Sequence, residues 1–225
     1  MTPPSNGHAL LFDLDGTLID SMPAHEQAWI TWHRRHGIAM DSAGFFASTA
    51  GRTNDEILYA MLPGRTEAEY TSWVDEKESL YRELAANSLS LIKGAHDYLL
   101  AARASGFSLA ICTASTPKNM VLAFEKFGID KMVDTITSPS DGLRGKPHPD
   151  IFLEAARRLK IPPERCVVFE DAPLGIEAAH RAGMKAVALT TTLPAAAFAS
   201  FDNLICIAAD FSAVNPPDTF ATQLC

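Results

Sequence analysis

The chain has 225 residues, 47% of them hydrophobic and 20% charged, which is the composition of a folded domain rather than a disordered one. Its 19 Lys and Arg against 27 Asp and Glu leave a formal charge of −8, which argues against a broad electrostatic hold on nucleic acid or anionic lipid. No apolar run reaches the roughly 20 residues that cross a bilayer, and the first residues carry neither part of a secretory signal, so a cytoplasmic protein with no membrane partner is expected.

Strand-length apolar runs recur at 9–12, 107–112, 132–136, 166–169, 186–189 and 204–207. After the first run comes a stretch with two or three helical patterns, no convincing strand, and the aromatics Trp29, Trp32, Tyr59, Tyr70, Trp73 and Tyr81. From about residue 92, helix and strand alternate. Ala95, Tyr98, Leu99 and Ala102 keep helical spacing, as do Ile151, Phe152, Ala155, Ala156 and Leu159. Thr116-Pro117 reads as a helix cap followed by proline at the first helical position, and Gly106, Gly128 and Gly183 read as C-terminal glycines. Alternation of this kind predicts a doubly wound parallel sheet, an α/β fold, with an all-α insertion over it. The expected division is a core of 1–19 and 92–225 and a helical cap of 20–91, with hinges near 19–20 and 91–94. The cysteines at 112, 166, 206 and 225 are widely spaced and are expected to be thiols rather than disulfides or zinc ligands.

In an open parallel sheet, ligands bind beyond the carboxyl ends of the strands, so the polar residues that follow each run are the informative ones. The first run ends in Asp13-Leu14-Asp15-Gly16-Thr17. Two carboxylates placed so close at a strand end are costly unless a cation or a reacting phosphate accompanies them. The second run ends in Thr113-Ala114-Ser115, hydroxyls and N–H groups at the start of a helix, which suits an anion. Lys146 lies between Gly145 and Pro147, and the fourth run ends in Glu170-Asp171. Singly, each is an ordinary turn, cap or solvated charge; together, in this order and each after a strand, they form a site.

These four groups resemble the motifs of the haloacid dehalogenase (HAD) superfamily, and the resemblance covers nearly the whole chain. Asp20 to His25 with Trp29, and the run from Gly145 to Phe152, are similar to the β-phosphoglucomutase and sugar-phosphatase group, whose Rossmann-like core carries a small helical cap. The resemblance implies that Asp13 is the nucleophile that becomes an aspartyl phosphate and that Asp15 is the general acid and base. It implies Mg2+ held by Asp13, the carbonyl of Asp15 and Asp171, with Glu170 as a further ligand or outer partner. Thr113, Ala114, Ser115 and Lys146, with Gly16 and Thr17, would surround the phosphoryl group. In the cap, His25, Trp29, Gly51, Arg52 and Lys77 resemble substrate-facing positions, against a reading of Trp29 and Trp32 as core and of His25 as a tie within the cap.

Retention of Asp15 and of the acidic pair disfavours dehalogenation, because a halide leaving group needs no proton. Related mutases hold a second phosphate with a cap segment that begins Lys-Gly and carries an arginine, where this chain has Ala50-Gly51-Arg52-Thr53-Asn54, with Ala50 and Asn54 at the lysine and arginine positions. Loss of that guanidinium position weighs toward a phosphatase, with a mutase as the alternative and a non-enzymatic phosphometabolite-binding module behind both. The expected partner is a small phosphorylated metabolite, and the expected state a monomer.

Overall fold

The computed structural model describes residues 7–49 and 52–214. Six strands form one parallel sheet: β1 (Ala9–Phe12), β2 (Ser108–Cys112), β3 (Thr135–Thr137), β4 (Cys166–Glu170), β5 (Lys185–Leu189) and β6 (Leu204–Ala208). Their spatial order is β3-β2-β1-β4-β5-β6, so β1 is central and β2 and β4 flank it. Helices α1 (Met22–Arg35), α2 (Ser42–Thr49), α3 (Asn54–Met61) and α4 (Glu67–Ser88) follow β1, and α5 (Ala95–Ala104) leads into β2. Beyond it come α6 (Pro117–Phe127), α7 (Asp150–Leu159) and α8 (Pro173–Arg181).

Side-chain alternation along the strands divides the interior in two. Leu10, Phe12, Leu109, Ile111, Val167 and Phe169 point to the face covered by α5, whose Ala95, Tyr98, Leu99 and Ala102 are all buried. Ala9, Leu11, Ala110, Cys112, Cys166 and Val168 point to the other, where Ile151, Phe152, Ala155 and Ala156 of α7 and Ile176 of α8 pack. Phe12 stacks on Phe169 with ring centroids 4.8 Å apart, fixing β1 to β4 just below the loops that matter. Truncating such a ring to alanine costs about 3 to 5 kcal/mol.

The segment between β1 and α5 holds four helices rather than two or three. Two short ones escape periodicity, but α3 and α4 each start with a capping box, Thr53 with Glu56 and Thr66 with Glu69. Most of the aromatic positions form its interior: Trp32 packs edge-on against Trp29 and Trp73, and Tyr70 lies against Trp73 and beneath the exposed Tyr59. The two crossings between this segment and the sheet run side by side, with Asp20 N–H on Ser90 C=O at 2.8 Å and Ile92 N–H on Leu18 C=O at 3.0 Å.

Three local expectations need correction. The run 132–136 becomes a strand only at Thr135, because Asp134 first turns back on β2, its carboxylate accepting Leu109 N–H at 2.8 Å and its N–H donating to Leu109 C=O. Thr116 sits at the N-cap of α6, but its hydroxyl makes no capping bond. Cys112 and Cys166 are free and buried, whereas Cys206 is disulfide-bonded, so thiols throughout do not hold. Among the described residues no helix is long and apolar enough to cross a membrane.

Candidate active site

Because β1, β2 and β4 are neighbours with their ends level, the loops that leave them open onto one place, a cleft of about 290 Å³ between the sheet and the helical segment. Asp13, Asp15, Thr113, Ala114, Ser115, Lys146, Glu170 and Asp171 all border it from the sheet side. His25, Trp29, Arg52 and Lys77 border it from the helices. Gly51 lies outside the described residues.

Asp13, Glu170 and Asp171 are buried, and each offers an oxygen within 4.8 Å of the others'. Lys146 Nζ, itself buried, bonds Asp13 Oδ1 and lies 2.6 Å from Glu170 Oε1. Burial alone would lower this ammonium, but the two carboxylates hold it well above the usual lysine range. Burial, with Glu170 beside them, pushes the carboxyls the other way: Asp13 is raised and Asp171 is pushed up to about 7. Fully ionised, three carboxylates against one ammonium would leave two negative charges uncompensated, the deficit that one divalent cation fills. The all-oxygen donor set suits magnesium.

The chain makes room for this crowding with glycine. A Cβ at Gly16, whose φ is +83°, would collide with the Asp171 carboxylate, and one at Gly175 would collide with that of Glu170. Glu170 Oε2 accepts the N–H groups of Asp171 and Ala172 at 2.9 and 2.8 Å, tying the acidic pair to the start of α8. Gly16 and Thr17 are not among the residues that border the cleft. Thr17 is fully buried and its hydroxyl donates to Asp171 Oδ1 at 2.9 Å, which orients that carboxylate.

Asp15 stands apart from the three-carboxylate cluster. Ser21 Oγ donates to its Oδ1 at 2.7 Å, and His25 Nε2 lies 3.6 Å from the same oxygen. Burial pushes Asp15 up, but His25, Ser21 and Ser115 outweigh it and hold the carboxyl below its ordinary value. The His25 ring stacks on Tyr81 at 3.8 Å, and its Nδ1 lies 2.8 Å from Lys77 Nζ. An ammonium only donates, so Nδ1 accepts and the ring proton belongs on Nε2, facing Asp15. Trp29 is both core and wall: it is 4% exposed, yet it borders the cleft and lies 5.3 Å below the Lys77 ammonium.

Lys77 also donates to Glu78 Oε1 at 2.8 Å, and Asn54 Nδ2 reaches the same oxygen at 2.5 Å. Asn119 of α6 donates to Glu78 Oε2 and accepts from Arg82 at 3.3 Å. Glu78 and Asn119 border the cleft and escaped the sequence reading; Asn54, noted there only for the guanidinium it lacks, borders it too. Glu78 closes the run Asp75-Glu76-Lys77-Glu78, which looks like a solvated helix face; the one available signal was its adjacency to Lys77. Buried Glu78 is held down to about 2: burial opposes this, but Lys77, His25 and Asn119 prevail.

A family model described as haloacid dehalogenase-like hydrolase matches residues 8–183. Validoxylamine A 7'-phosphate phosphatase of Streptomyces hygroscopicus subsp. limoneus is 34% identical over 198 residues, 87% of this chain and 91% of its own. Hexitol phosphatase A of Escherichia coli is 32% identical over 179 residues, 80% of this chain and 81% of its own. The crystal structure of a β-phosphoglucomutase from Clostridium difficile superposes with a TM-score of 0.77 at 25% identity, covering 95% of this chain and 93% of that one. The strand-end carboxylates, the buried lysine and these matches along most of the sequence have one conclusion: the chain belongs to the haloacid dehalogenase-like hydrolase family.

Proposed function

We propose that the chain is a Mg2+-dependent phosphatase that hydrolyses a small sugar or polyol phosphate through an aspartyl phosphate on Asp13. The observation that carries this reading is the pair of environments at the end of β1. Asp13 sits beside a lysine and two further carboxylates, whereas Asp15, two residues on, has a hydroxyl and an imidazole for company. Two carboxylates with such different surroundings are suited to two roles.

In this reading a carboxylate oxygen of Asp13 attacks phosphorus, and the ester oxygen leaves with a proton from Asp15. Asp15 then takes a proton from water, whose oxygen attacks the same phosphorus and frees phosphate and the Asp13 carboxylate. Asp15 as it stands is in the base form, and the approach of a phosphate dianion raises it toward the acid form. Lys146, the Thr113 hydroxyl and the N–H of Ala114 hold the phosphoryl oxygens as charge shifts onto them. Asp13, Asp171 and the carbonyl of Asp15 are the groups that would hold magnesium, with Glu170 behind them, and the ion supplies a Lewis acid for the phosphoryl oxygens. Residues 20–91 act as a cap that closes on substrate about the paired crossings near 19–20 and 91–94. The enzyme works as a cytoplasmic monomer.

Arg52, on the wall of the cleft, favours a second reading, a mutase that holds a second phosphate. Phosphate release from hexose 1- and 6-phosphates, fructose 1-phosphate, hexitol phosphates and phosphoglycolate, with and without Mg2+ and with Asp13→Asn as the blank, tests the proposal. Magnesium-dependent release from a few polyhydroxylated esters is expected. Conversion of β-glucose 1-phosphate to glucose 6-phosphate with a bisphosphate primer, and no release, would establish the mutase instead.

A further inference from the structure

We propose that Lys77 and Glu78, steered by Asn54 and Asn119, form a subsite that reads a hydroxyl group on the part of the substrate remote from the phosphate and turns away a second phosphate. This rests on the phosphatase reading and names the end of the molecule that the reading leaves open.

The bonding inventory carries the inference. Lys77 has three N–H donors: one goes to His25 Nδ1 and one to Glu78 Oε1, leaving a third. A carboxylate has about four lone-pair positions, and Glu78 fills three, with Lys77 and Asn54 on Oε1 and Asn119 on Oε2. The pair therefore keeps one donor and one acceptor in reserve, and both residues border the cleft. A hydroxyl both donates and accepts and satisfies the two at once. A phosphate dianion only accepts, so it gains the lysine donor but meets the carboxylate at close range. Asp55 adds a further carboxylate to the same wall, while Arg52 turns a guanidinium N–H to the Glu56 carbonyl of α3.

The setting makes a purely structural role expensive. Lys77 and Glu78 are 1% and 3% exposed, and Lys77 lies between the rings of Trp29 and Tyr81. Apolar residues of like volume would fill such a place at equal or better stability. Asn54, Glu78 and Asn119 come from three separate helices. The Asn119 carboxamide is fixed in sense, its oxygen on Arg82 and its nitrogen on Glu78.

The test compares Glu78→Gln and Asn54→Ala with the native protein on p-nitrophenyl phosphate and on a hexitol 6-phosphate. For Glu78→Gln, kcat/KM on the hexitol ester should fall about ten- to hundredfold, chiefly through KM, with less than about a threefold change on the aryl ester. Asn54→Ala should show the same pattern at smaller size and covers the case in which Glu78→Gln fails to fold. Equal losses on both esters, or none on either, would overturn the subsite. Hexose 1,6-bisphosphate should inhibit the native protein no more tightly than hexose 6-phosphate; tighter inhibition would also overturn it. If no ester releases phosphate, the phosphatase reading falls. Calorimetric binding of the hexitol ester and of phenyl phosphate to the same variants then decides the subsite, selective loss of the hexitol ester supporting it and parallel behaviour refuting it.

Discussion

The two walls of the cleft solve the problem of buried charge in opposite ways. On the sheet side, Asp13, Glu170 and Asp171 share one lysine and remain short of positive charge. On the helical side, Lys77 and Glu78 neutralise each other and are bridged to neighbouring helices by carboxamides. An unbalanced cluster held by backbone ends and glycines is a place to bring a cation and a phosphoryl group. A balanced pair with one donor and one acceptor to spare suits the uncharged, hydroxylated end of a phosphate ester. On the proposed reading, chemistry and selection fall to different walls, which meet where Ser21 and His25 of the helical side face Asp15.

The largest effect expected from breaking this division is Asp13→Asn. It should reduce turnover on the order of 10⁴-fold or more on every ester while leaving urea stability equal or higher, because one crowded carboxylate is removed. A fall in stability would mean that the Lys146 bond outweighs the repulsion. Asp15→Asn should cost about 10²- to 10⁴-fold on alkyl phosphates and clearly less on an aryl phosphate, whose leaving group needs little protonation. Equal losses in steady-state assays of both would remove Asp15 from the proton path.

On the opposite wall, Lys77→Met should destabilise by about 3 to 5 kcal/mol in urea titrations, since it strands a buried carboxylate. A change below about 1 kcal/mol would show that the helical wall tolerates unbalanced charge as the sheet wall does. The smallest effect lies in acid. Folding holds Glu78 at about 2 against its ordinary 4.5, with Lys77, His25, Asn54 and Asn119 facing it. Its contribution, on the order of 3 kcal/mol, is complete above about pH 4.5 and is lost as pH falls toward 2. The difference in stability between native protein and Glu78→Gln should therefore shrink over that window, which denaturation at stepped pH would follow.

The sheet-side wall was legible because its chemistry needs particular residue types at strand ends. The apolar runs that place Asp13 and Asp171 are the same runs that build the core. The helical wall was legible only in part. Lys77, His25 and Trp29 were marked by resemblance, but what Lys77 does depends on Glu78, and a run of four charges does not by itself say that these two turn inward. Asn119 lies three positions into α6, where an asparagine reads as a weak helix former, and only the approach of α4 gives it partners. Thr17 shows what packing adds: its place beside Asp13 and Asp15 is plain in the sequence, but its hydrogen bond to Asp171, 154 positions away, is not.

Ser21 and His25 lie at the very start of α1, and both face Asp15. A chimaera that exchanged the four-helix segment for another protein's would therefore import new acid–base neighbours for Asp15 along with new specificity. Grafting that begins after His25, and that carries Lys77 or an equivalent partner for its Nδ1, would keep the proton chemistry constant while the recognition surface is varied.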